Sequence, residues 1–274
     1  MKALCMLAGA ALVMAMSTPS ICQPAPTTGF HQVQCAKINA GKGVEFRKWQ
    51  EGDLHKYAQA MVDSGRLSSW ALIRAVTPAG NANPCDFYVV AMYPGLPPQP
   101  LGMEELGAAL KKAGFTMSAE EFANRRDSVS TLVSSAMWQN VVSEGSMQKG
   151  DYLIINTFKA PNPDDWAAYE KKIWQPLAQQ LDKEGLTRGW SLNVLVMPPR
   201  GNDIETNGVT VDVYPNWDAV YKPDPEFYNR WKKVHPDMEL GTTLQQFEKL
   251  GPNSTAHLFK VDDMISSAMV SSAK

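Results

Sequence analysis

Apolar and polar residues in the first half of the chain follow two periods, one typical of half-buried strands and one typical of amphipathic helices. Apolar side chains such as Phe46, Trp49 and Leu54 recur at helical spacing. Ser118 and Glu121 form a capping-box pattern, which predicts the start of a helix. In order, this half predicts a strand at 30–37, a helix at 44–64, strands at 67–76 and 87–93, short helices, and a strand at 132–142.

The second half of the chain shows the same order of elements. Pro176 falls inside its long helix, where the missing backbone donor predicts a kink near Trp174. The pattern predicts a strand at 152–159, a helix at 163–184, strands at 187–197 and 209–214, helices at 226–234 and 243–250, and a strand at 255–261.

Landmark residues recur at a nearly constant distance along the chain, which indicates an internal duplication. Tyr93 corresponds to Tyr214 at an offset of 121 residues. At an offset of 120 the corresponding pairs are Phe46 and Trp166, Trp49 and Tyr169, Met61 and Leu181, Gly65 and Gly185, and Trp70 and Trp190.

Each copy therefore has the order β-α-β-β-α-β, the ferredoxin-like arrangement, with an antiparallel sheet and its helices on one face. Two copies in one chain can cover each other's open sheet face. The expected fold class is α+β, with two tandem ferredoxin-like (βαββαβ) repeats packed sheet to sheet as an intrachain dimeric α+β barrel. The expected domains are a signal peptide at 1–22, repeat 1 at 23–145 and repeat 2 at 146–274.

The long helix of the second copy carries a family resemblance. Its segments Trp166-Ala167-Ala168-Tyr169-Glu170 and Ile173-Trp174-Gln175-Pro176-Leu177-Ala178 resemble the helix of EthD-like proteins in the dimeric α+β barrel superfamily. The family pattern has a His two residues before the Pro, where this chain has Trp174. The resemblance therefore implies the fold and no catalytic residue. Related barrels include cofactor-free monooxygenases, haem-degrading enzymes and NIPSNAP-type proteins.

The N-terminal segment has the features of a secretory signal: one basic residue, Lys2, a short apolar run at 3–16, and small residues after it. Cleavage after Ser17 or after Cys22 fits these small residues. A lipidated Cys22 and a permanent anchor are the alternatives, although the apolar run is shorter than the ~20 residues that a span requires. We expect an extracytoplasmic protein, periplasmic or secreted.

Export favours disulfide formation. Cys35 and Cys85 remain after cleavage at either position, and both fall on strands that the expected fold makes neighbours. We predict a disulfide between them, with two free buried thiols as the alternative.

Composition removes several classes of function. The chain has 26 basic and 28 acidic residues, a net charge of −2, which gives no excess of positive charge for nucleic acid. It has no serine-hydrolase elbow, zinc-protease motif or nucleotide-binding loop. The four histidines lack metal-ligand spacing, so no metal site and no cofactor are predicted. Haem is an alternative, with His235 or His257 as its only candidate ligands.

Polar residues in strands that should be buried are the candidate site. A buried charge or amide is costly unless it has a partner, so we expect Arg74 to meet Asp212 in a central ion pair. These groups form either a structural network or a ligand cavity with tryptophan walls. The candidate ligand-binding residues are Gln34, Trp70, Arg74, Asn156, Trp190, Asn193, Asp212 and His257.

Three functions remain open. The first is an exported barrel that binds a small, partly apolar molecule. The second is an enzyme, either a cofactor-free oxygenase or a haem-handling protein, which rests on the fold alone. The third is a structural or interaction module without a pocket. A homo-oligomer is compatible with all three, because an edge strand of either repeat can pair with another copy.

Overall fold

The structure is a computed structural model that describes residues 29–77, 83–197, 206–252 and 255–267. The predicted signal peptide and Cys22 lie outside these residues. Export and the cleavage position therefore stay predictions. None of the helices in these ranges is long and apolar enough to cross a membrane.

The first repeat follows the predicted order. Its long helix is divided by a short π-helical segment that contains Gln50. The elements are β1 (Phe30–Ile38), α1 (Gly43–Trp49), the π-helical segment (Gln50–Leu54), α2 (His55–Asp63), β2 (Ser69–Thr77), β3 (Phe87–Tyr93), α3 (Met103–Lys112), α4 (Ala119–Val129) and β4 (Ser130–Gly145). The predicted capping box of α4 is confirmed, with Ser118 and Glu121 exchanging both hydrogen bonds.

The second repeat has the same order with an uninterrupted long helix. Asn162 caps the start of that helix by accepting hydrogen bonds from the Asp164 and Asp165 backbone N–H groups, and Pro176 lies within it. The elements are β5 (Tyr152–Phe158), α5 (Pro163–Lys183), β6 (Gly189–Met197), β7 (Gly208–Tyr214), α6 (Trp217–Tyr221), α7 (Phe227–Val234), α8 (Leu240–Leu250) and β8 (Thr255–Ser266).

The eight strands close into one antiparallel barrel with the order β1-β3-β2-β8-β5-β7-β6-β4. Within each repeat the order is that of a ferredoxin-like sheet. The repeats join at two seams, β2 against β8 and β4 against β6. The expected fold class is therefore confirmed, with the two sheets hydrogen-bonded edge to edge. Since closure leaves none of these eight strands with a free edge, a homo-oligomer would form through helices or loops instead.

Alternate residues of each strand face the barrel interior or the helices. The interior is an apolar cluster drawn from both repeats, and the helices cover separate clusters on the outside. The interior cluster comprises Ala71, Ile73, Val90, Leu153, Val213, Phe259 and Val261. On the outside, Trp70 and Leu72 pack under α1 and α2, whereas Trp190 and Leu192 pack with Trp166 under α5.

Candidate functional site

Two adjoining cavities open beside the β2–β8 seam, on the side covered by the helices of repeat 1. The larger is a polar groove of about 440 Å³, lined by Arg47, Gln50, Glu51, His55, Arg74, Lys149, Asp262 and Asp263. The smaller is a mostly apolar pocket of about 200 Å³, lined by Ile38, Phe46, Leu72, Arg74, Ala75, Cys85, Asp86, Phe87 and Asp262. Arg74 and Asp262 line both cavities. Together the cavities have the size of a small-molecule site.

Arg74 and Asp262 form a two-point ion pair at the boundary between the cavities. The Arg74 Nε donates to Asp262 Oδ2 at 2.8 Å, and its Nη2 donates to Oδ1 at 3.3 Å. The hydrogen bond to Asp262 raises the pKa of the guanidinium. The register of the seam shifts between Leu72 and Ile73, where Asp262 is the extra residue of β8. Such a bulge redirects side chains, and here two consecutive aspartates, Asp262 and Asp263, line the groove.

His55 and Asp263 form a second pair, on the wall of the groove. His55 Nδ1 lies 2.7 Å from Asp263 Oδ2, and the backbone N–H of Met264 donates to Asp263 Oδ1 at 3.0 Å. The Asp263 carboxylate is 5% exposed, whereas the His55 side chain is 42% exposed. A carboxylate that accepts the Nδ1 proton leaves Nε2 as the basic nitrogen of a neutral imidazole. Lys149 Nζ approaches Asp263 Oδ1 at 3.6 Å.

Local structure explains why His55 reaches this position. The π-helical segment Gln50–Leu54 adds width to the helix just before His55, which begins α2. Wide turns of this kind occur often at functional sites. His55 comes from repeat 1 and its carboxylate partner from the last strand of repeat 2, so the pair exists only because the two repeats meet at this seam.

The opposite seam, β4 against β6, carries a related but chemically different pair. Gln175, which corresponds to His55 at the offset of 120, donates to Glu144, and Gln179 donates to the same carboxylate oxygen at 3.0 Å. At the same offset Arg74 corresponds to Val194, and Arg47 to Ala167. Three basic or titratable side chains of the groove, His55, Arg74 and Arg47, thus have uncharged counterparts in repeat 2.

A buried carboxyl pair lies beneath α5 in repeat 2. Glu170 is 2% exposed, and desolvation, helped by the nearby Asp212 charge, raises its pKa to about 8. Burial raises the pKa of Asp212 to about 6, while the Asn156 amide, donating at 2.9 Å, acts in the opposite direction. The Trp166 side chain acts against the rise in the Glu170 pKa, although neither Glu170 Oε2 nor Trp166 Nε1 makes a hydrogen bond of normal geometry among the described residues. Burial thus shifts both carboxyl groups toward the neutral form, and at pH 7 Glu170 is the protonated member of the pair.

The structure separates the eight predicted ligand residues. Only Arg74 lines the two cavities, and its expected ion pair with Asp212 is wrong, because Arg74 pairs with Asp262. Asn156 and Asp212 meet each other, with Trp190 paired opposite Asp212, on the α5 side of repeat 2.

The remaining predicted residues lie elsewhere in the barrel. Asn193 bonds with Asn140 at 3.0 Å and with Ser191, and is a satisfied amide of the barrel wall. His257 stacks on Phe259 of the interior cluster. Trp70 belongs to the core under α1 and α2, separate from Trp190. Gln34 is half-buried on β1, on the same face as Ala36 of that core. The tryptophans therefore do not wall one cavity.

The positions of the histidines decide whether they could coordinate haem or a metal ion. His235 is buried, its Nε2 lies 2.9 Å from the Ile173 carbonyl oxygen, and its ring packs against Trp231. Haem ligation through that nitrogen would require breaking this hydrogen bond. His31 faces the interior between Met92 and Trp138, and burial lowers its pKa to about 4. Within the described ranges no group of three or more His, Cys, Asp or Glu residues could hold a metal ion.

Cys35 and Cys85 are joined by a disulfide with a Cα–Cα distance of 5.5 Å. Cys85 comes two residues before β3 rather than within it. It also lines the apolar pocket, so the bridge ties the pocket wall to β1.

These features define the class: the chain has the dimeric α+β barrel fold, with both halves in one polypeptide. No protein-family model and no curated protein sequence matches it. A candidate monooxygenase from Lactobacillus acidophilus superposes with a TM-score of 0.53 at 10% identity, covering 87% of this chain and 96% of that one. A candidate monooxygenase from Fusobacterium nucleatum gives 0.53 at 11%, covering 88% and 95%. At such low sequence identity the similarity shows a shared fold and does not by itself show a shared activity.

Proposed function

We propose that the protein is an exported barrel that binds a small, partly apolar molecule at the β2–β8 seam. The observation that carries the proposal is the direct junction of an apolar pocket with a charged groove at Arg74 and Asp262. A ring-sized apolar group suits the pocket beside Phe46 and Phe87, and a polar or acidic end suits the groove. Small-molecule sites usually combine an apolar wall with a few polar groups that fix orientation.

A thermal-shift screen tests this proposal, using phenols, small aromatic acids, quinones, lipids and haem. We expect at least one ring compound with a polar end to raise the melting temperature, and Arg74→Ala to abolish that rise. The ion pair of Arg74 is half exposed, and exposed pairs contribute about 0–1 kcal/mol. The ligand-free variant should therefore melt close to the wild type.

Arg126→Ala is a matched control, because Arg126 is paired with Asp127 on the surface and lines neither cavity. It should leave the ligand-induced shift intact. The proposal fails if no compound stabilises the wild type, or if Arg74→Ala and Arg126→Ala affect binding equally.

The oxygenase alternative is supported by the fold shared with two candidate monooxygenases. Oxygen consumption in the presence of a bound phenol would favour it, and a Soret band in the purified protein would favour haem handling. Membership of the EthD-like or NIPSNAP-like group likewise stays a prediction.

A further inference from the structure

We propose that the groove is catalytic, with His55 as a general base that removes a proton from the bound molecule and Asp263 as its positioning residue. This inference rests on the proposed function, since it needs a ligand in the groove. It adds a reaction class, proton abstraction from an acidic O–H or from a C–H next to a carbonyl group.

The arrangement of the pair fits a base rather than a surface ion pair. Asp263 is held by the backbone N–H of Met264 and by burial, so its position does not depend on His55 alone. His55 is open to the groove while its Nδ1 is fixed by the carboxylate. A histidine that is oriented by a buried carboxylate and lines a cavity has the arrangement that general-base catalysis requires.

The groove also contains cationic side chains that can stabilise the anion formed by proton abstraction. The proton moves from the substrate oxygen or carbon to His55 Nε2, and the electron pair of the broken bond stays on the substrate as a phenolate or enolate. No oxidant or reductant takes part. Arg47, Arg74 and Lys149 line the same groove and can stabilise the negative charge on oxygen.

The second seam provides an internal comparison. There the corresponding residue is Gln175, also held by a carboxylate from the other repeat. Glutamine can hydrogen-bond to a carboxylate but cannot accept a proton at neutral pH. The duplication therefore shows that an amide fits this position of the fold, which makes His55→Gln a conservative variant.

The experiment uses p-nitrophenol, whose yellow anion reports ionisation while equilibrium dialysis reports binding separately. We expect the wild type to bind the probe and to lower its pKa by at least one unit relative to the free probe, which is a tenfold change in the ionisation constant. His55→Gln should bind within about threefold of the wild type and lose most of the shift, leaving only the part that Arg47, Arg74 and Lys149 supply. Asp263→Asn should bind and show a smaller shift, because the imidazolium loses its carboxylate.

Gln179→Ala on the opposite seam is the control, and it should behave as the wild type. The inference is overturned if the wild type binds p-nitrophenol without changing its ionisation, or if His55→Gln keeps the full wild-type shift. If the wild type does not bind p-nitrophenol although another compound of the thermal-shift screen stabilises it, the inference fails and the proposed function stands; if no compound binds, the proposed function itself fails. Circular dichroism of each variant verifies that a lost shift does not reflect unfolding.

Discussion

The buried carboxyl pair of repeat 2 makes a quantitative prediction about stability. Glu170 ionises near pH 4.5 in the unfolded chain and near pH 8 in the folded protein. Below pH 4.5 Glu170 is protonated in both the folded and the unfolded state, so its titration does not lower the free energy of unfolding. As pH rises, the unfolded state releases its proton first, so the free energy of unfolding falls until the folded carboxyl also ionises.

The magnitude follows from the distance between the two pKa values. A separation of about 3.5 corresponds to a loss of at most about 5 kcal/mol between pH 4.5 and 8. Asp212 acts in the same direction from pH 3.8 to about 6. Glu170→Gln removes the titration, and the repeat-1 counterpart of Glu170 is already an amide, the buried Gln50.

Urea denaturation between pH 5 and 8.5 tests this prediction through the difference between variant and wild type. The free energy of unfolding of Glu170→Gln should exceed that of the wild type by a margin that grows as pH rises, up to several kcal/mol at pH 8.5. Glu248→Gln, at an exposed position of α8, should give no such trend. A constant difference between Glu170→Gln and wild type across this range would refute the reasoning.

Three further predictions concern stability and covalent structure. Burial lowers the pKa of His31 to about 4, so the wild type should lose free energy of unfolding as pH falls from 6.5 to 4. In His31→Gln that loss should be smaller, which denaturation at several acidic pH values measures. Cys35→Ser should lower the free energy of unfolding by about 2–4 kcal/mol, because the disulfide closes a loop between residues 50 apart. In the denatured, unreduced wild type a thiol reagent should detect neither Cys35 nor Cys85. Gly208→Ala should cost at least about 1–3 kcal/mol in urea denaturation, because the new methyl group overlaps the Trp166 ring.

The hydrophobic periodicity and the duplication were enough to predict the order of strands and helices. A ferredoxin-like repeat leaves one sheet face open, and a second copy in the same chain covers that face. The closure of both seams into a barrel follows from hydrogen bonding between β2 and β8 and between β4 and β6, which no local pattern encodes. Helix ends moved by a few residues, and the π-helical segment at Gln50 has no clear sequence signal.

The candidate site was harder to predict, because its parts lie far apart in the chain. His55 and Asp263 are separated by 208 residues, and the β8 bulge that directs Asp262 and Asp263 into the groove breaks the two-residue alternation. The expected partner of Arg74 was therefore Asp212, which lies on β7 and pairs with Asn156 instead. Glu170 was missed as well, although a carboxylate next to the apolar stripe of α5 was visible in the sequence.

We propose above all that the ligand binds at the β2–β8 seam between the repeats, beside the helices of repeat 1. Hydrogen–deuterium exchange with mass spectrometry, run with and without saturating p-nitrophenol, tests its location most directly. We expect slower exchange in peptides covering residues 47–56 and 260–264. Protection confined to residues 166–179 and 209–214, around the buried carboxyl pair, would place the ligand in the other repeat and contradict this proposal.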